Sequence, residues 1–301
     1  MSQTNQQLSL SILGCGHLGQ TLAHLWVKAG LVELGQVLNT SLASSQAAVS
    51  FIGAGEAIGC LAEMQAADIY LLACPDKVLE TCCNDLAQAK VIHTGAIVFH
   101  CSGAIASSVL RPLQEQGASI ASVHPIKSFA QPQQAVLSFQ PTYCGVEGDA
   151  AALDVLEVLF ERIGGISFKI EAQQKTIYHA ASVVACNYLV ALQSISLRAF
   201  AQAGVEQALA LKILQPIVHD TVANIFKLGP VAALTGPIAR GDAEVVAKQF
   251  TALQAALPFE AEIYRLLGLE ALNLAQQKNK TPAEYLQQVA QVLAGSSTGI
   301  D

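Results

Sequence analysis

The sequence predicts an α/β domain with a doubly wound, mainly parallel sheet, followed by an all-helical domain. Up to about residue 170, short apolar runs of strand length alternate with stretches long enough for a helix, a pattern typical of repeated βαβ units. After about residue 172, long segments rich in Ala, Leu and Val replace these runs. We therefore expect two domains, at residues 1–172 and 173–301, that pack together without a flexible linker.

The individual elements follow from apolar runs and from helix-ending residues. The predicted strands are residues 8–13, 35–38, 69–73, 96–100, 118–123, 142–146 and 166–170. The predicted helices are residues 17–29, 173–203, 206–228, 243–256, 259–277 and 282–293. The later strands lie closer together along the chain, so we expect a mixed or antiparallel far edge of the sheet. Gly and Pro residues just beyond the helices of the second domain are typical helix stops.

Composition excludes several classes of protein. Hydrophobic residues make up 52% and charged residues 13% of the 301 residues, and the net charge is −7. These values exclude intrinsic disorder and argue against nucleic-acid binding, which depends on Lys and Arg. No apolar run reaches the ~18 residues of a membrane helix without a polar interruption, and Met1–Gln7 has no signal-peptide pattern. We expect a cytoplasmic protein that does not contact a membrane.

The eight cysteines mostly lie in apolar runs, and none forms a C-x-x-C pair. This distribution predicts reduced core residues and no metal site. The remaining apolar excess, concentrated in the helical half, predicts helices that are buried against a second subunit.

The strongest motif is a glycine-rich turn after the first strand. It reads Gly14-Cys15-Gly16-His17-Leu18-Gly19. In a strand–turn–helix context, the first glycine allows the tight turn, the second lets a pyrophosphate approach the backbone, and the third allows close helix packing. The helix N-terminus adds free N–H groups and a positive dipole. The motif predicts dinucleotide binding, and the alternative is a glycine-rich turn that binds nothing.

The end of the second strand indicates which dinucleotide is bound. An acidic residue there would bind the 2′-hydroxyl of NAD, but the segment carries Asn39, Thr40 and Ser41 instead. Hydroxyl and amide groups at a helix start suit a 2′-phosphate, although the segment lacks the Arg common in NADP sites. We therefore expect NADP, with NAD as the alternative.

Polar residues also follow three later strands, where ligands of doubly wound sheets bind. The segments are Cys74-Pro75-Asp76, Ser102-Gly103 and His124. Cys74 and Pro75 are interpreted as a turn bordering the cofactor, or as a turn and helix cap alone. Ser102, Gly103 and His124 would face the nicotinamide, and the alternative for His124 is a structural imidazole.

The long helix that begins the second domain carries a polar stripe. At about 100° per residue, Lys175, His179, Ser182 and Cys186 fall within roughly 60° of one another, and Asn187 lies at the margin. Such residues are costly to bury without hydrogen bonds, so the stripe either faces solvent or lines a polar cleft. In the cleft they could protonate or orient a carbonyl or imine.

A turn interrupts the helical domain at residues 234–242. Thr235, Gly236 and Arg240 are candidates for contact with a substrate anion or a partner subunit. The alternative is a structural turn held by an ion pair between Arg240 and Asp242.

Together these motifs resemble one family, in which a Rossmann-like domain precedes a helical domain of unassigned function. The motifs that carry the resemblance are the glycine turn, Ser102-Gly103, His124-Pro125, Lys175-x-x-Tyr178-His179-Ala180, Asn187-Tyr188 and Thr235-Gly236-Pro237 with Arg240-Gly241-Asp242. Members of this family carry the description NADP oxidoreductase. More distantly, the sequence is similar to pyrroline-5-carboxylate reductase, 6-phosphogluconate and β-hydroxyacid dehydrogenases, and deazaflavin-dependent NADP oxidoreductases.

The resemblance implies a C-terminal domain like that of 6-phosphogluconate dehydrogenase, a substrate cleft between the domains, and a homodimer built by the helical domain. The β-hydroxyacid relatives carry a catalytic Lys and an Asn on the corresponding helix, which Lys175 and Asn187 match at a different spacing. The leading hypothesis is an NADP-dependent oxidoreductase that transfers a hydride to or from a small C=O or C=N substrate.

In this hypothesis His179 or Lys175 is the acid–base group, Asn187 and Ser102 orient the substrate, and His124 lines the cleft. The alternative is a protein that binds the dinucleotide as a signal and does no chemistry. A third reading is a structural dimer with an empty site.

Overall fold

The computed structural model describes residues 7–294, which form an eight-stranded sheet followed by a run of helices. The expectation about the N-terminal segment therefore lies, apart from Gln7, outside the described residues. The strands are β1 (Leu8–Leu13), β2 (Val32–Leu38), β3 (Glu56–Ile58), β4 (Ile69–Leu72), β5 (Ile97–His100), β6 (Ser119–Pro125), β7 (Thr142–Gly148) and β8 (Gly165–Lys169).

The sheet has the order β3-β2-β1-β4-β5-β6-β7-β8. Its first six strands are parallel, β7 is antiparallel to β6, and β8 is parallel to β7. The predicted doubly wound sheet with a mixed far edge is therefore confirmed. The edge strand β3 was not predicted, because three residues are too short to give an alternating pattern.

Helices cover both faces of the sheet. They are α1 (His17–Lys28), α2 (Leu42–Ile52), α3 (Asp76–Ala89), α4 (Arg111–Gln114), α5 (Pro132–Leu137) and α6 (Ala150–Arg162). Trp26 of α1, the only tryptophan in the chain, packs edge-on against Phe160 at 5.2 Å between ring centroids. Its indole N–H donates to the Leu159 carbonyl at 3.0 Å. Because Trp26 is buried, its fluorescence reports on the folding of this part of the chain.

The rest of the described chain is helical. The helices are α7 (Lys175–Ser182), α8 (Tyr188–Gln202), α9 (Gln207–Leu228), α10 (Pro230–Ala233), α11 (Pro237–Arg240), α12 (Ala243–Ala256), α13 (Pro258–Lys278) and α14 (Ala283–Ala294). A π-helical segment, Val183–Asn187, joins α7 to α8. The long helices were predicted, whereas the four-residue α10 and α11 were not, because so short a helix has no periodic pattern.

Two compact units divide the chain, Met1–Ala185 and Cys186–Asp301. The sequence placed the boundary at residue 172, where the composition changes. The contacts place α7 with the sheet, because Lys175 and Tyr178 bond to side chains of β6 and β7. The change in composition near residue 172 thus marks the start of the helices, and the boundary between the two compact units comes later, at residue 185.

The helical stretch Ala172–Gln202 is the one segment within residues 7–294 that is long and apolar enough to cross a membrane, with a mean hydropathy of 1.5. No such segment was expected, because that expectation required an apolar run without polar interruption. A mean over 18 residues tolerates single polar residues such as Asn187. The first turns of this stretch pack within the α/β unit, where Lys175 is buried.

Candidate functional site

The glycine turn joins β1 to α1, as predicted. Gly14 has a φ of +78°, and a Cβ placed on it would lie 2.6 Å from the backbone of Cys74. A Cβ on Gly19 would lie 3.3 Å from that of Ala73, so α1 packs closely on β4. Gly16 has no neighbour within 4 Å of such an atom. The turn is therefore tight at two glycines and open at the middle one, as pyrophosphate binding requires.

A cavity of about 750 Å³ lies over this turn. Nine of the residues predicted to bind the cofactor line this cavity: Gly14, Cys15, Gly16, His17, Leu18, Asn39, Thr40, Cys74 and Pro75. The lining residues that the sequence did not suggest are Leu13, Gln20, Leu38, Ser44, Ala47, Leu61, Ala73, Val78, Cys82 and Asp85. Gly19, Ser41, Ser102 and Gly103 were also predicted for this site but do not line the cavity.

The predicted 2′-phosphate segment begins immediately after β2. The Asn39 side chain donates to the carbonyl of Ser44 at 3.0 Å. Ser41 caps α2, accepting from the Ser44 N–H at 3.2 Å, and it is not among the residues that line the cavity. Among the described lining residues, Asp85 carries the only carboxylate, and none is Lys or Arg.

The loop after β5 is held by its own polar groups. The Ser102 hydroxyl donates to the Asp76 carboxylate at 2.9 Å and accepts from the N–H of Ile105 at 3.0 Å. Asp76 is the first residue of α3 and follows Pro75 of the cavity wall. Ser102 is thus engaged in loop structure, and it places Gly103 beside the next strand.

Paired residues of β6 and β7 form a second polar cluster, whose members do not line the cavity over the glycine turn. In this antiparallel pair His124 lies opposite Gly145, and Ser122 opposite Glu147. Residues two apart on a strand share a face, so all four side-chain positions share one surface of the sheet. Helix α7 packs on that surface, and Lys175 and Tyr178, three residues apart, face successive pairs.

The pair nearer the carboxyl end of β6, His124 and Gly145, contacts the side chain of Tyr178. Its hydroxyl lies 2.9 Å from Nδ1 of His124, with the rings edge-on at 5.6 Å. A Cβ on Gly145 would come within 2.8 Å of this hydroxyl. Glycine at 145 therefore makes room for Tyr178. Burial raises the pKa of Tyr178 to about 12, so the phenol is protonated at neutral pH.

The other pair holds Lys175. Its Nζ donates to the Ser122 hydroxyl and lies 3.5 Å from Glu147 Oε1. The Ser107 N–H and hydroxyl donate to the two oxygens of Glu147, each at 2.7 Å. Lys175 is 1% exposed and Glu147 7%. Burial lowers the pKa of Lys175, and the Glu147 charge opposes that shift. Lys175 is thus enclosed on the sheet surface, and its predicted acid–base role stays a prediction.

Two histidines lie next to Gly103. A Cβ on Gly103 would be 2.6 Å from Nδ1 of His179 and 2.8 Å from Nε2 of His124. The two rings lie 5.8 Å apart. Nδ1 of His179 is buried and has no hydrogen-bond partner among the described residues. Burial, the nearby His179 and then Lys175 lower the pKa of His124 to about 4, so His124 is neutral at pH 7.

The polar stripe predicted along the long helix does not continue past residue 182. The π-helical segment Val183–Asn187 changes the number of residues per turn, so the angular positions calculated for Cys186 and Asn187 do not apply. Both belong to the second compact unit. The structure brings His179 and Lys175 to His124, and Ser102 to Asp76, while Asn187 is not among their hydrogen-bond partners in residues 7–294.

The predicted turn at residues 234–242 lies in the second unit. Arg240 is exposed at the end of α11, and it forms none of the ion pairs found in the described part of the chain. Asp242 instead accepts from the Val245 N–H at 3.3 Å and caps α12. The alternative of an Arg240–Asp242 ion pair was therefore wrong. Contact of Thr235, Gly236 and Arg240 with a ligand or partner stays a prediction.

Sequence reasoning missed Glu147, Gly145 and the role of Tyr178. Glu147 and Gly145 lie on a strand that was predicted, but their partners depend on strand direction, which apolar runs do not show. All eight cysteines are free. Within residues 7–294 no group of three or more His, Cys, Asp or Glu is arranged to hold a metal ion.

Two family profiles match the chain. Residues 2–125 match a Rossmann-like domain, and residues 142–271 match a domain of unknown function, DUF2520. The chain thus carries both domain types that its motifs resemble. No protein of curated function matches it in sequence.

Solved structures support the fold. A Thermotoga maritima protein whose name states no activity is 24% identical, with a TM-score of 0.72 over 90% of this chain and 100% of its own. A Bacteroides fragilis protein, whose name proposes an NADP oxidoreductase, is 18% identical, with a TM-score of 0.71 over 88% and 98%.

Pyrroline-5-carboxylate reductase from Coxiella burnetii is 15% identical, with a TM-score of 0.55 over 95% of this chain and 99% of its own. At these identities the likeness shows a shared fold. The chain has a Rossmann-like α/β domain followed by a helical domain, as these structures do, and the predicted fold class is confirmed.

Proposed function

We propose that this protein is an NADP-dependent oxidoreductase whose α/β unit binds the cofactor and reduces or oxidises a small C=O or C=N compound. The observation that carries the proposal is the glycine turn, because Gly16 opens onto a cavity of about 750 Å³ at the N-terminus of α1. The names of two similar structures, an NADP oxidoreductase and a reductase, support the same class.

The residues present fit a dinucleotide. Gly14 and Gly16 would hold the pyrophosphate against the start of α1, where free N–H groups and the helix dipole favour an anion. Thr40 and Ser44, near the start of α2, would face the adenine ribose. Because no acidic residue ends β2, nothing there repels a 2′-phosphate, which supports NADP over NAD. When bound, the nicotinamide supplies or accepts the hydride.

His124 and Tyr178 are the proposed proton-transfer pair. If the Tyr178 hydroxyl donates to Nδ1 at 2.9 Å, the proton of the neutral imidazole lies on Nε2. An Nε2–H donor polarises a carbonyl or imine without carrying charge, a role known for neutral histidine. As Nε2 gives up its proton to the substrate, Nδ1 takes the Tyr178 proton, and water reprotonates the phenol. His179 would form the wall of the site beside Gly103.

Cofactor titration followed by turnover tests this proposal. NADPH should bind more tightly than NADH, and a panel of imines, keto acids and aldehydes should contain compounds that oxidise bound NADPH. Tyr178→Phe should lower kcat by ~10²-fold, the usual contribution of one aligned proton donor, while leaving NADPH affinity unchanged. Tighter binding of NADH would contradict the NADP assignment. An unchanged kcat in Tyr178→Phe would contradict the proton-transfer pair.

A sensor that binds the dinucleotide without chemistry is the second candidate function. Two predicted catalytic residues are engaged elsewhere, Lys175 with Glu147 and Ser102 with Asp76, which favours it. A protein that binds NADPH tightly and oxidises it with no compound of the panel would support the sensor.

We also propose that the protein is a homodimer formed by its helical unit. Large apolar side chains of α8 and α9 are exposed, including Val190 (71%), Ile217 (60%) and Phe226 (86%). A soluble monomer rarely leaves so many apolar side chains in water. A second copy covers such a surface with matching residues, and the same argument applies to the apolar part of the stretch Ala172–Gln202.

A further inference from the structure

Two cysteines line the same cavity wall, next to the glycine turn. Cys74 follows β4, Cys82 lies in the second turn of α3, and both line the cavity over the glycine turn. Each thiol is close enough to shift the pKa of the other. Neither side chain is fully buried, so small reagents in the cavity can reach them. No role in the proposed reaction accounts for this pair.

We propose that Cys74 and Cys82 are a thiol-modification site, which a peroxide oxidises to a disulfide and which the bound dinucleotide protects. The protection rests on the proposed cofactor binding, whereas formation of the disulfide does not.

The surroundings distinguish Cys82 from the other cysteines. The neighbouring Cys74 thiol lowers the pKa of Cys82 to about 7, so much of Cys82 is thiolate at neutral pH, and thiolate is the form that reacts. Burial raises the pKa of Cys15, Cys83 and Cys144 to about 12, 11 and 12. Cys82 is therefore the expected nucleophile, and Cys74, whose pKa is raised, remains a thiol.

The oxidation has two balanced steps. The Cys82 thiolate attacks one oxygen of the peroxide, the O–O bond breaks, and a sulfenic acid and hydroxide form. The Cys74 sulfur then attacks the Cys82 sulfur, the S–S bond forms, and water leaves with the Cys74 proton. In total, two thiols and one hydrogen peroxide give one disulfide and two waters.

Both cysteines lie where a bond between them would affect the cavity. Val78, Cys82 and Asp85, at successive turns of α3, all line it, so Cys82 is central to that wall. Cys74 lies against Gly14, where a Cβ would be 2.6 Å from the Cys74 backbone. Drawing the two sulfurs together would therefore displace residues that shape the glycine turn. Occupancy of the cavity and the disulfide should exclude each other, and the coupling should be reciprocal.

Peptide mapping tests this directly. Trypsin places Cys74 and Cys82 in separate peptides, residues 29–77 and 78–90. Hydrogen peroxide followed by non-reducing digestion should yield these two peptides joined, and dithiothreitol should separate them. Cys60 shares the first peptide with Cys74 and Cys83 shares the second with Cys82, so variants assign the bond. Cys74→Ser and Cys82→Ser should abolish it, whereas the matched control Cys60→Ser should retain it.

Two further measurements test the link to the cofactor. With NADPH at ten times its Kd, about one site in eleven is empty, so cross-linking should slow about elevenfold. The oxidised protein should bind NADPH at least about tenfold more weakly, which is ~1.4 kcal/mol, and dithiothreitol should restore binding.

Failure to form the cross-link, or its retention in Cys82→Ser, would overturn the modification site. Cross-linking at an unchanged rate with NADPH bound would overturn the protection. If the reduced protein does not bind NADPH at all, the proposed function fails, while the cross-link result still decides whether the cysteine pair reacts.

Discussion

The buried ion pair between Lys175 and Glu147 gives the sharpest stability prediction. In Lys175→Met the side chain keeps a similar length and loses its charge. Glu147 then retains its two hydrogen bonds from Ser107, but its charge, 7% exposed, has no cation nearby. Removing one partner of a buried pair costs about 3–5 kcal/mol. With an m-value of ~2.5 kcal/mol/M, this is a fall of roughly 1.5 M in the urea midpoint.

Urea unfolding followed by the fluorescence of Trp26 measures this effect, because that side chain is in the core of the same unit. Lys169→Met is the matched control: Lys169 is exposed, so the same change should cost less than about 0.5 kcal/mol. The double variant Lys175→Met/Glu147→Gln should cost less than the sum of the two single variants. Equal midpoints for Lys175→Met and Lys169→Met would refute the reasoning.

Three other outcomes are expected. Burial lowers the pKa of His100 to about 3 and of His124 to about 4. Below pH 6.5 the unfolded state therefore binds more protons than the folded state. The free energy of unfolding should fall by about 4 kcal/mol between pH 7 and pH 5. His124→Asn should remove about half of that fall, as measured by urea unfolding at each pH. The same pH dependence of stability in His124→Asn as in the wild type would contradict this prediction. The Cβ of Gly16→Val meets no neighbour, so the variant should lose only the ~1 kcal/mol of a poorer helix N-cap. It should bind NADPH at least about a hundredfold more weakly in a fluorescence titration, at a cost of ~2.7 kcal/mol; unchanged affinity would remove the turn from the cofactor site. Light scattering should give about twice the 31.5 kDa of one chain, and Phe226→Glu should shift that mass towards the monomer; a wild-type monomer at micromolar concentration would exclude the dimer.

The glycine turn could be predicted in full because its function depends on the backbone. The requirements at Gly14 and Gly16 are a positive φ and open space, and both follow from a local sequence between a strand and a helix. The sheet was predicted for a similar reason, since buried parallel strands give unbroken apolar runs. The cavity wall was harder, because Val78, Cys82 and Asp85 have no feature apart from their helical spacing.

The His124–Tyr178 pair shows what sequence patterns do not contain. The two residues are 54 positions apart, and their contact depends on the direction of β7 and on a glycine opposite His124. The functional role predicted for the long helix stays a prediction, and counting at 100° per residue failed at Val183–Asn187, where the helix is π. Lys175 was selected because a charge stands out in an apolar segment, and the same apolar surroundings explain its burial against Glu147.

The junction of β6 and β7 also divides the chain's two recognisable modules. The first profile match ends at Pro125, at the end of β6, and the second begins at Thr142, the first residue of β7. His124 and Ser122 therefore come from one module, while Gly145, Glu147 and Tyr178 come from the other. Neither module expressed alone could assemble the proposed proton-transfer pair, although the first contains the whole glycine turn. In the proposed function, dinucleotide binding therefore needs residues of the first module alone, whereas proton transfer requires both modules joined at this one strand pair.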